Sequence, residues 1–461
     1  MIREPMIRDM APATDVPALI DASPVSGLQR LTFGLCFLIV LLDGFDTAAI
    51  GYVAPSLMAE WGVPRGALAP VLSAALFGLA LGALAAGPVA DRYGRKAVLV
   101  AAVAELGAAC LASAFATDIT WLCILRFLTG LGLGAAMPNA VTLTSEYVPA
   151  RRRALLINLM FSGFPLGAAF GGFLAAWMIP AFGWRSVLIL GGAAPLLLAL
   201  LLGALLPESI RHLVAHGAPA ERVAAILRRV VPGVAPAGRY TLGETTPGGA
   251  APDGPGGLRL VLSPAYGLGS VMLWITYFCG LTIFYALVNW MPILFRETGL
   301  DPRSAALIAA LFPLGGIGAV LLGALMDRLD ADIVVATTFA LTALAVALIG
   351  QAVGHLALLI PAVLVAGTLM NMAQSSLPAL AAAFYPTRGR ATGVAWMLGL
   401  GRFGGIAGSF LVGGLSDWSL SATFAVVAIP AALATLAIVV KRLAGGRPGG
   451  ATPKPAEALG H

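Results

Sequence analysis

Leu41-Leu42-Asp43-Gly44-Phe45-Asp46-Thr47 places two carboxylates inside an apolar run that begins near Leu31 and ends at Pro55. A charge at mid-membrane depth costs about 2.5–3.5 kcal/mol on insertion scales, so two in one run need a purpose. Asp43 and Asp46 are three residues apart, and on a helix they share a face and look into one space. A loop at this point, or neighbours that merely satisfy both acids, would be the bland explanation. The sharper one is a proton or cation site in a membrane carrier. Burial and a second carboxylate both favour the protonated form of a carboxyl group.

Outward from this stretch the composition agrees. Of 461 residues, 59% are apolar and 11% are charged, whereas soluble domains carry about 25% charged residues. The net charge of +6 could suggest nucleic acid, but the bases are spread over short connections instead of one face, so no nucleic-acid partner is predicted. Cys36, Cys110, Cys123 and Cys279 all fall in apolar runs without metal-ligand spacing and read as packing residues. The first 30 residues mix Arg, Asp and Pro, and the first apolar run is too long for a signal core, so no cleaved leader is predicted.

Twelve runs are long enough to cross a bilayer as helices, each needing about 20 residues. They lie near 31–55, 66–90, 96–116, 119–145, 154–179, 184–206, 264–290, 303–326, 331–351, 354–384, 389–415 and 419–440. The expected fold is an all-α integral membrane protein: a tail over 1–30, a six-helix bundle over 31–206, a linker over 207–262, a second bundle over 263–441 and a tail over 442–461. Of 28 Lys and Arg, 22 fall on the side holding the termini and the even-numbered connections. The other side has Arg65, Arg185, Arg296 and Arg303, while Arg126 and Arg402 lie within spans. The positive-inside rule therefore predicts an inner-membrane protein with both termini cytoplasmic.

In the linker, Val223, Ile226, Leu227 and Val230 make a helical stripe backed by Arg222, Arg228 and Arg229, which predicts a short amphipathic helix lying on the membrane surface. Residues 232–257 are rich in Pro and Gly and read as a flexible connection. His212 and His216 are four apart, but no third ligand is near, so no metal or other cofactor is expected.

The halves repeat. Gly87-Pro-Val-Ala-Asp91-Arg92 returns 236 residues later as Gly323-Ala-Leu-Met-Asp327-Arg328. Pro149-Ala-Arg151-Arg-Arg153-Ala154 returns after 237 as Pro386-Thr-Arg388-Gly-Arg390-Ala391. Pro55, Glu60 and Gly62 match Pro292, Glu297 and Gly299 at the same 237. A parallel duplication of six spans is the architecture in which two bundles rock about a central site.

These residues resemble a family. Gly87-x3-Asp91-Arg92-x-Gly94-Arg95-Lys96 is similar to the loop between the second and third spans of the major facilitator superfamily, and Arg126-x3-Gly130-x-Gly132-x-Gly134 to its fourth-span pattern. Asp43-Gly-Phe-Asp46-Thr, with Gly399-Leu-Gly-Arg402-Phe-Gly, resembles the aromatic acid:proton symporter branch, which takes up benzoate-type and hydroxybenzoate-type acids. The resemblance covers all twelve spans. It implies two pseudo-symmetric bundles, proton-coupled aromatic acid uptake, and a part in proton coupling for Arg126 beside Asp43 and Asp46. In the second copy of the loop, Leu329-Asp330-Ala331-Asp332 replaces the glycine and the bases, which predicts unequal latches at the two bundles.

The residues also carry physical reasons. Gly130, Gly132 and Gly134 let helices approach closely. Arg126 cannot lose its proton, so it needs an anionic partner or a watery cavity. Asp91 among Arg92, Arg95 and Lys96 fits a conformational latch that Glu146, Arg151 and Arg153 could complete, with Asp327, Arg328, Arg388 and Arg390 as its second-half counterpart. Arg402 is the candidate for a substrate carboxylate, because its fork matches one bidentately; an ion pair with a first-span aspartate is the alternative. Around it, Tyr285, Asn289, Trp290, Asn371, Gln374 and Trp396 are the candidate substrate contacts, the amides most of all, since polar side chains in lipid need a partner. Glu105 finds no role.

An embedded enzyme would need a nucleophile–base or metal set, and no His-Glu-x-x-His occurs; a primary pump would need Gly-x4-Gly-Lys-Ser/Thr, also absent. The serious rival is a proton-coupled exporter of small hydrophobic compounds with the same fold, since Gly163-Phe-Pro165-Leu-Gly167 with Gly171-Gly172 partly resembles an antiporter pattern. The first-span acids and Arg402 favour a monomeric carrier that takes a small aromatic carboxylate and protons across the bilayer.

Overall fold

A computed structural model of the chain describes residues 14–232, 240–242, 258–318, 326 and 329–444. Two rods of helix-forming residues, each crossing back and forth, stand side by side. The first half holds spans Gly27–Trp61, Arg65–Tyr93, Arg95–Ser113, Ile119–Tyr147, Ala150–Phe182 and Arg185–Leu205. The second holds Gly267–Glu297, Pro302–Leu314, Ala331–Ala352, Leu356–Phe384, Thr387–Gly413 and Leu420–Ala444. Eleven of the described helices are long and apolar enough to cross a membrane; the eighth shows 13 residues and a 3-10 turn, Gly315–Gly318, before the described residues stop. The spans are numbered one to twelve below. The end holding Asp15 and Lys441 is called the tail side, the other the far side.

Local chemistry sets the ends. Ser26 opens the first span with a capping box: its hydroxyl accepts from the Gln29 N–H, and the Gln29 side chain accepts from the Ser26 N–H. Gly62 closes the span at φ 64°, a left-handed stop that favours glycine. Asp118 caps the fourth span and Asp301 the eighth. The fifth span is interrupted at Ser162, splitting into Ala150–Phe161 and Gly163–Phe182.

Without a hydrophobic drive between helices in lipid, close backbone approach holds the bundle. Spans two and four interlock through glycines on both: a Cβ on Gly130 would strike the Ala75 carbonyl, and one on Gly78 the Phe127 carbonyl. The halves touch through spans one and seven, five and eight, and two and eleven. The contacts lie from mid-span to the far side: Gly51 on Asn289, Gly172 on Ala310 and Gly413 on Ala69. Among the described residues, no hydrogen bond or ion pair joins the halves nearer the tail side than Arg402 and Leu79. The cleft between the bundles therefore opens toward the tail side.

The amphipathic helix forms as Ala220–Val230. Its surroundings differ from the expectation. Val223, Leu227 and Val230 are fully buried in a core shared with Val16, Ile20 and Leu28, so the stripe packs on protein, where the helix meets the first span and the helix Ile210–Ala215. A two-residue parallel pairing, Thr14–Asp15 with Tyr240–Thr241, fastens the N-terminal segment to the linker. The stripe signals an apolar partner, and a neighbouring segment supplies it as well as lipid would.

Substituting Gly130→Val drives a side chain into the second span and is expected to cost about 1–3 kcal/mol. It should lower the melting temperature of the detergent-purified protein. Gly203→Ala, where a Cβ meets nothing within 4 Å, should leave it unchanged or higher.

Candidate functional site

At the centre of the first bundle, Asp46 and Arg126 meet in a two-pronged ion pair. Arg126 Nη1 donates to Asp46 Oδ1 at 2.8 Å and Nη2 to Oδ2 at 2.8 Å, with a further bond from Nη2 to the Asp46 carbonyl at 3.3 Å. Both side chains are 1% exposed. Sequence brings these two into one half; only packing reveals that they touch. The Cys110 thiol lies beside them, directed to the Leu188 carbonyl at 3.6 Å.

Asp43, one turn away, is treated differently. It is also buried, yet among the described residues its only hydrogen bond is from the Thr47 hydroxyl on its own helix, at 3.4 Å, and no base forms an ion pair with it. Arg402, across the cleft on the eleventh span, is half-buried and lies within electrostatic reach of Asp43. Its Nη1 donates to the Leu79 carbonyl of the second span at 3.1 Å. Arg402 thus pairs with neither first-span aspartate, and most of its five donors are unused. Tyr285 sits within reach of Asp43 and Arg402, its ring against Gly405.

The other predicted contacts separate. Asn371 donates to the Gly367 carbonyl at 2.8 Å and to the Phe312 carbonyl at 3.4 Å, tying spans ten and eight. Asn289 is fully buried and donates to the Ser409 hydroxyl at 3.2 Å; Trp290, also fully buried, donates to the Ser409 carbonyl at 3.0 Å. These two join spans seven and eleven. Trp396 is 42% exposed and stacks on Trp274, centroids 6.0 Å apart. Gln374 lies against Gly280 of the seventh span, near Tyr277. Glu105 turns its carboxylate toward Gly132, away from this cluster.

On the tail side of the first bundle, Arg95 bridges Asp91 (3.1 Å) and Glu146 (3.5 Å). The Asp91 side chain is 72% exposed, and among the described residues its ion pair is with Arg95 of its own half. Gly94 turns with φ 94°, and the space where a Cβ would stand is filled by the Glu208 carboxylate. Glu208 accepts from the Lys96 N–H at 3.1 Å, at the start of the third span, while Ser209 bonds Glu146. Glu208 and Ser209 escaped the sequence reading; a Pro-Glu-Ser at the end of a span, facing a basic helix start, was the available signal. Gly87, Arg92, Arg151 and Arg390 are exposed, and Arg153 is half-buried. Asp327, Arg328 and the Arg388 side chain fall outside the described residues.

The Asp330/Asp332 region joins the corresponding helix ends of the second half, here through side-chain ion pairs. Lys441 Nζ meets Asp332 Oδ1 at 2.5 Å and Arg442 meets Asp330 at 3.4 Å, at the end of the twelfth span. In the first half, bases begin span three and acids follow span six. In the second, acids begin span nine and bases end span twelve. The changed residues make ion pairs of their own, whereas Lys96 meets Glu208 through its backbone N–H.

On the far side, one ion pair crosses the halves. Arg65, 6% exposed at its side chain, reaches Glu297 at 2.8 Å and also bonds the Leu415 carbonyl just past the eleventh span. Its repeat partner Glu60 stays within its own half, holding Arg185 at 2.8 Å and the Trp184 indole N–H at 2.6 Å. Duplicated acids serve different ends, and only the Glu297 copy fastens the two bundles together.

Two six-helix halves around a charged cleft are the architecture of a membrane transporter. The Major Facilitator Superfamily pattern matches residues 36–316 and 273–460, and the chain belongs to that superfamily. It is 48% identical to the 4-hydroxybenzoate transporter PcaK of Pseudomonas putida, over 93% of this chain and 96% of that one. It is 47% identical to a gallate transporter of Pseudomonas putida (92% and 94%) and 32% identical to a benzoate transport protein of Acinetobacter baylyi (93% and 93%). Among solved structures it is similar to the inward-open xylose transporter XylE from E. coli, at 16% identity and TM-score 0.69, covering 90% of this chain and 95% of that one.

Arg65→Gln should release the far-side closure. If the contact is worth about 1 kcal/mol, the balance shifts roughly fivefold toward the far-side-open form. Thiol labelling of a cysteine placed at Ala69, beneath Gly413, should quicken accordingly, and the swap Arg65→Glu with Glu297→Arg should slow it again.

Proposed function

We propose that the protein imports a small aromatic carboxylate of the hydroxybenzoate/benzoate class by proton symport, working as a monomer in the inner membrane with its tail side cytoplasmic. One observation carries the reading. Two acids share the first-span face, yet only Asp46 is held by an arginine, which leaves Asp43 and Arg402 as a carboxyl and a guanidinium facing one cleft without pairing. The named substrates of the relatives support the chemical class.

The charges explain coupling. Asp43, Asp46, Arg126 and Arg402 sum to zero when all are charged. A bound carboxylate adds one negative charge, and a proton on Asp43 removes it. A cleft of net charge zero can close over its cargo with little desolvation penalty; one with an uncompensated charge cannot. In this reading Asp43 carries the proton, while Arg126 and Asp46 are a fixed pair that shapes the cavity. Arg402 takes the carboxylate with its unused donors. The charge of a carboxylate on those donors draws the guanidinium away from the neutral Leu79 carbonyl, so loading weakens a contact between the halves. The exposed Asp91 group is the tail-side latch in its open state, and Arg65–Glu297 is its far-side counterpart in the closed state. The two are expected to exchange roles as the bundles rock.

Proteoliposomes with an acid exterior should accumulate labelled 4-hydroxybenzoate. Asp43→Asn should abolish gradient-driven accumulation while keeping exchange of labelled for unlabelled acid, because the variant is fixed in the neutral form. Arg402→Ala should lose both. Failure of the wild type to move any aromatic acid, with proton-driven expulsion of neutral or cationic compounds, would transfer the assignment to the exporter.

A further inference from the structure

Polar side chains inside the bundles are nearly all occupied by the protein. Asn371 is spent on backbone carbonyls and the Asn289 amide N–H on Ser409. Gln374 differs: its Oε1 and Nε2 are both shielded from solvent, and neither is met in hydrogen-bond geometry, although the Tyr277 phenol lies beside the amide. Among the described residues it is the one amide side chain with both ends unmet. Such a group is costly to leave unsatisfied, and in a binding protein it marks a place where a ligand completes the bonding.

The surroundings make room for it. The amide lies over Gly280, and a Cβ there would occupy the position of Oε1. The Tyr277 phenol is within reach of both Gln374 and Arg402, and its ring rests on Gly401, the residue before Arg402. A continuous wall therefore runs from the guanidinium over Tyr277 to the amide. Counting from the tail-side ends of their helices, Arg402 is 15 residues into Thr387–Gly413, and Gln374 is 10 residues from Phe384. The difference of five residues is roughly 7 Å of helix rise, about the reach of one substituted aromatic ring.

We propose that Gln374 reads a ring hydroxyl of the substrate and makes the carrier prefer hydroxylated aromatic acids over the unsubstituted acid. The inference rests on the aromatic-acid reading above and deepens it. A phenolic hydroxyl both donates and accepts, and an amide offers one acceptor and two donors, so a single hydroxyl satisfies both unmet ends. Benzoate bound at Arg402 leaves the amide unmet. Sites built to bond a hydroxyl reject the analogue that lacks it, by up to about 10⁴–10⁵ in the best enzymes. For a cleft open on one side, about tenfold in KM is the expected scale.

The test compares 4-hydroxybenzoate with benzoate in the same proteoliposomes. Wild type should show the lower KM for 4-hydroxybenzoate. Gln374→Leu, close in volume and without hydrogen bonds, should raise that KM about tenfold while leaving benzoate uptake equal or better. Gly280→Ala, which displaces the amide without removing it, should reduce the same ratio. Benzoate uptake reports folding, so loss of selectivity is separated from loss of protein. If both acids slow by one factor, or the ratio stays at its wild-type value in both variants, Gln374 does not read the hydroxyl, and the aromatic-acid reading stands without it. If the wild type moves neither acid, both readings fall.

Discussion

The structure depends on the bond between Asp46 and Arg126. An arginine in a bilayer cannot shed its proton, so its charge must be met wherever it lies. Here a carboxylate meets it with two parallel bonds, sealed from solvent, between the first and fourth spans. Removing one partner of a buried pair costs about 3–5 kcal/mol, because the other is left charged in a medium that cannot solvate it. The pair therefore fixes the register of two helices, and it fixes which first-span acid is free. Asp43 gains its chemical interest from what Asp46 already holds.

The same rule, that every charge in the membrane must have a use, sorts the remaining ones. Arg402 holds a backbone carbonyl with one nitrogen, which is enough to place it and too little to satisfy it. Arg65, near the far surface, is satisfied by both Glu297 and Leu415. One arginine is a fastener and the other is the proposed receptor, and the difference lies in how many of its donors the protein occupies. The tie at the tail side of each half works on a coarser scale. The Lys96 backbone N–H meets the Glu208 carboxylate in the first half and the Lys441 ammonium meets Asp332 in the second, so each contact joins the start of one span to the end of its neighbour by a different bond.

Much of this was legible in the sequence. Twelve apolar runs, the repeat at 236–237 residues and the intramembrane charges give the architecture and the cluster around Asp43, Asp46, Arg126 and Arg402. These signals are strong because lipid penalises polar groups so heavily that each must be deliberate. What the sequence does not carry is partnership. Asn289, Asn371 and Gln374 look alike as amides in apolar runs, yet two are structural ties and one is unmet. The difference depends on which helix faces each residue, and that depends on tilt and rotation of neighbours far away in the chain. The linker stripe is a similar case. Periodicity shows that Val223, Leu227 and Val230 share a face, but lipid and protein are equally apolar to them.

The cleft's geometry also limits how tightly substrate can be held. Arg402 is the only cross-half hydrogen-bond donor at mid-depth among the described residues, and its partner is a carbonyl of the opposite half. A carboxylate is the better acceptor, since a bond between two charged groups is roughly twice as strong as one to a neutral oxygen. In the proposed mode, binding therefore weakens a bond between the halves while forming one to cargo. The binding energy is then divided between affinity and release of the bundles, so a carrier of this design gives up affinity for movement. A ligand that satisfied Arg402 without entering the space beside Asp43 would, in the proposed cycle, gain the affinity and leave the proposed proton site unchanged. It would be held without being moved, and the space between those two residues is what separates a substrate from an inhibitor.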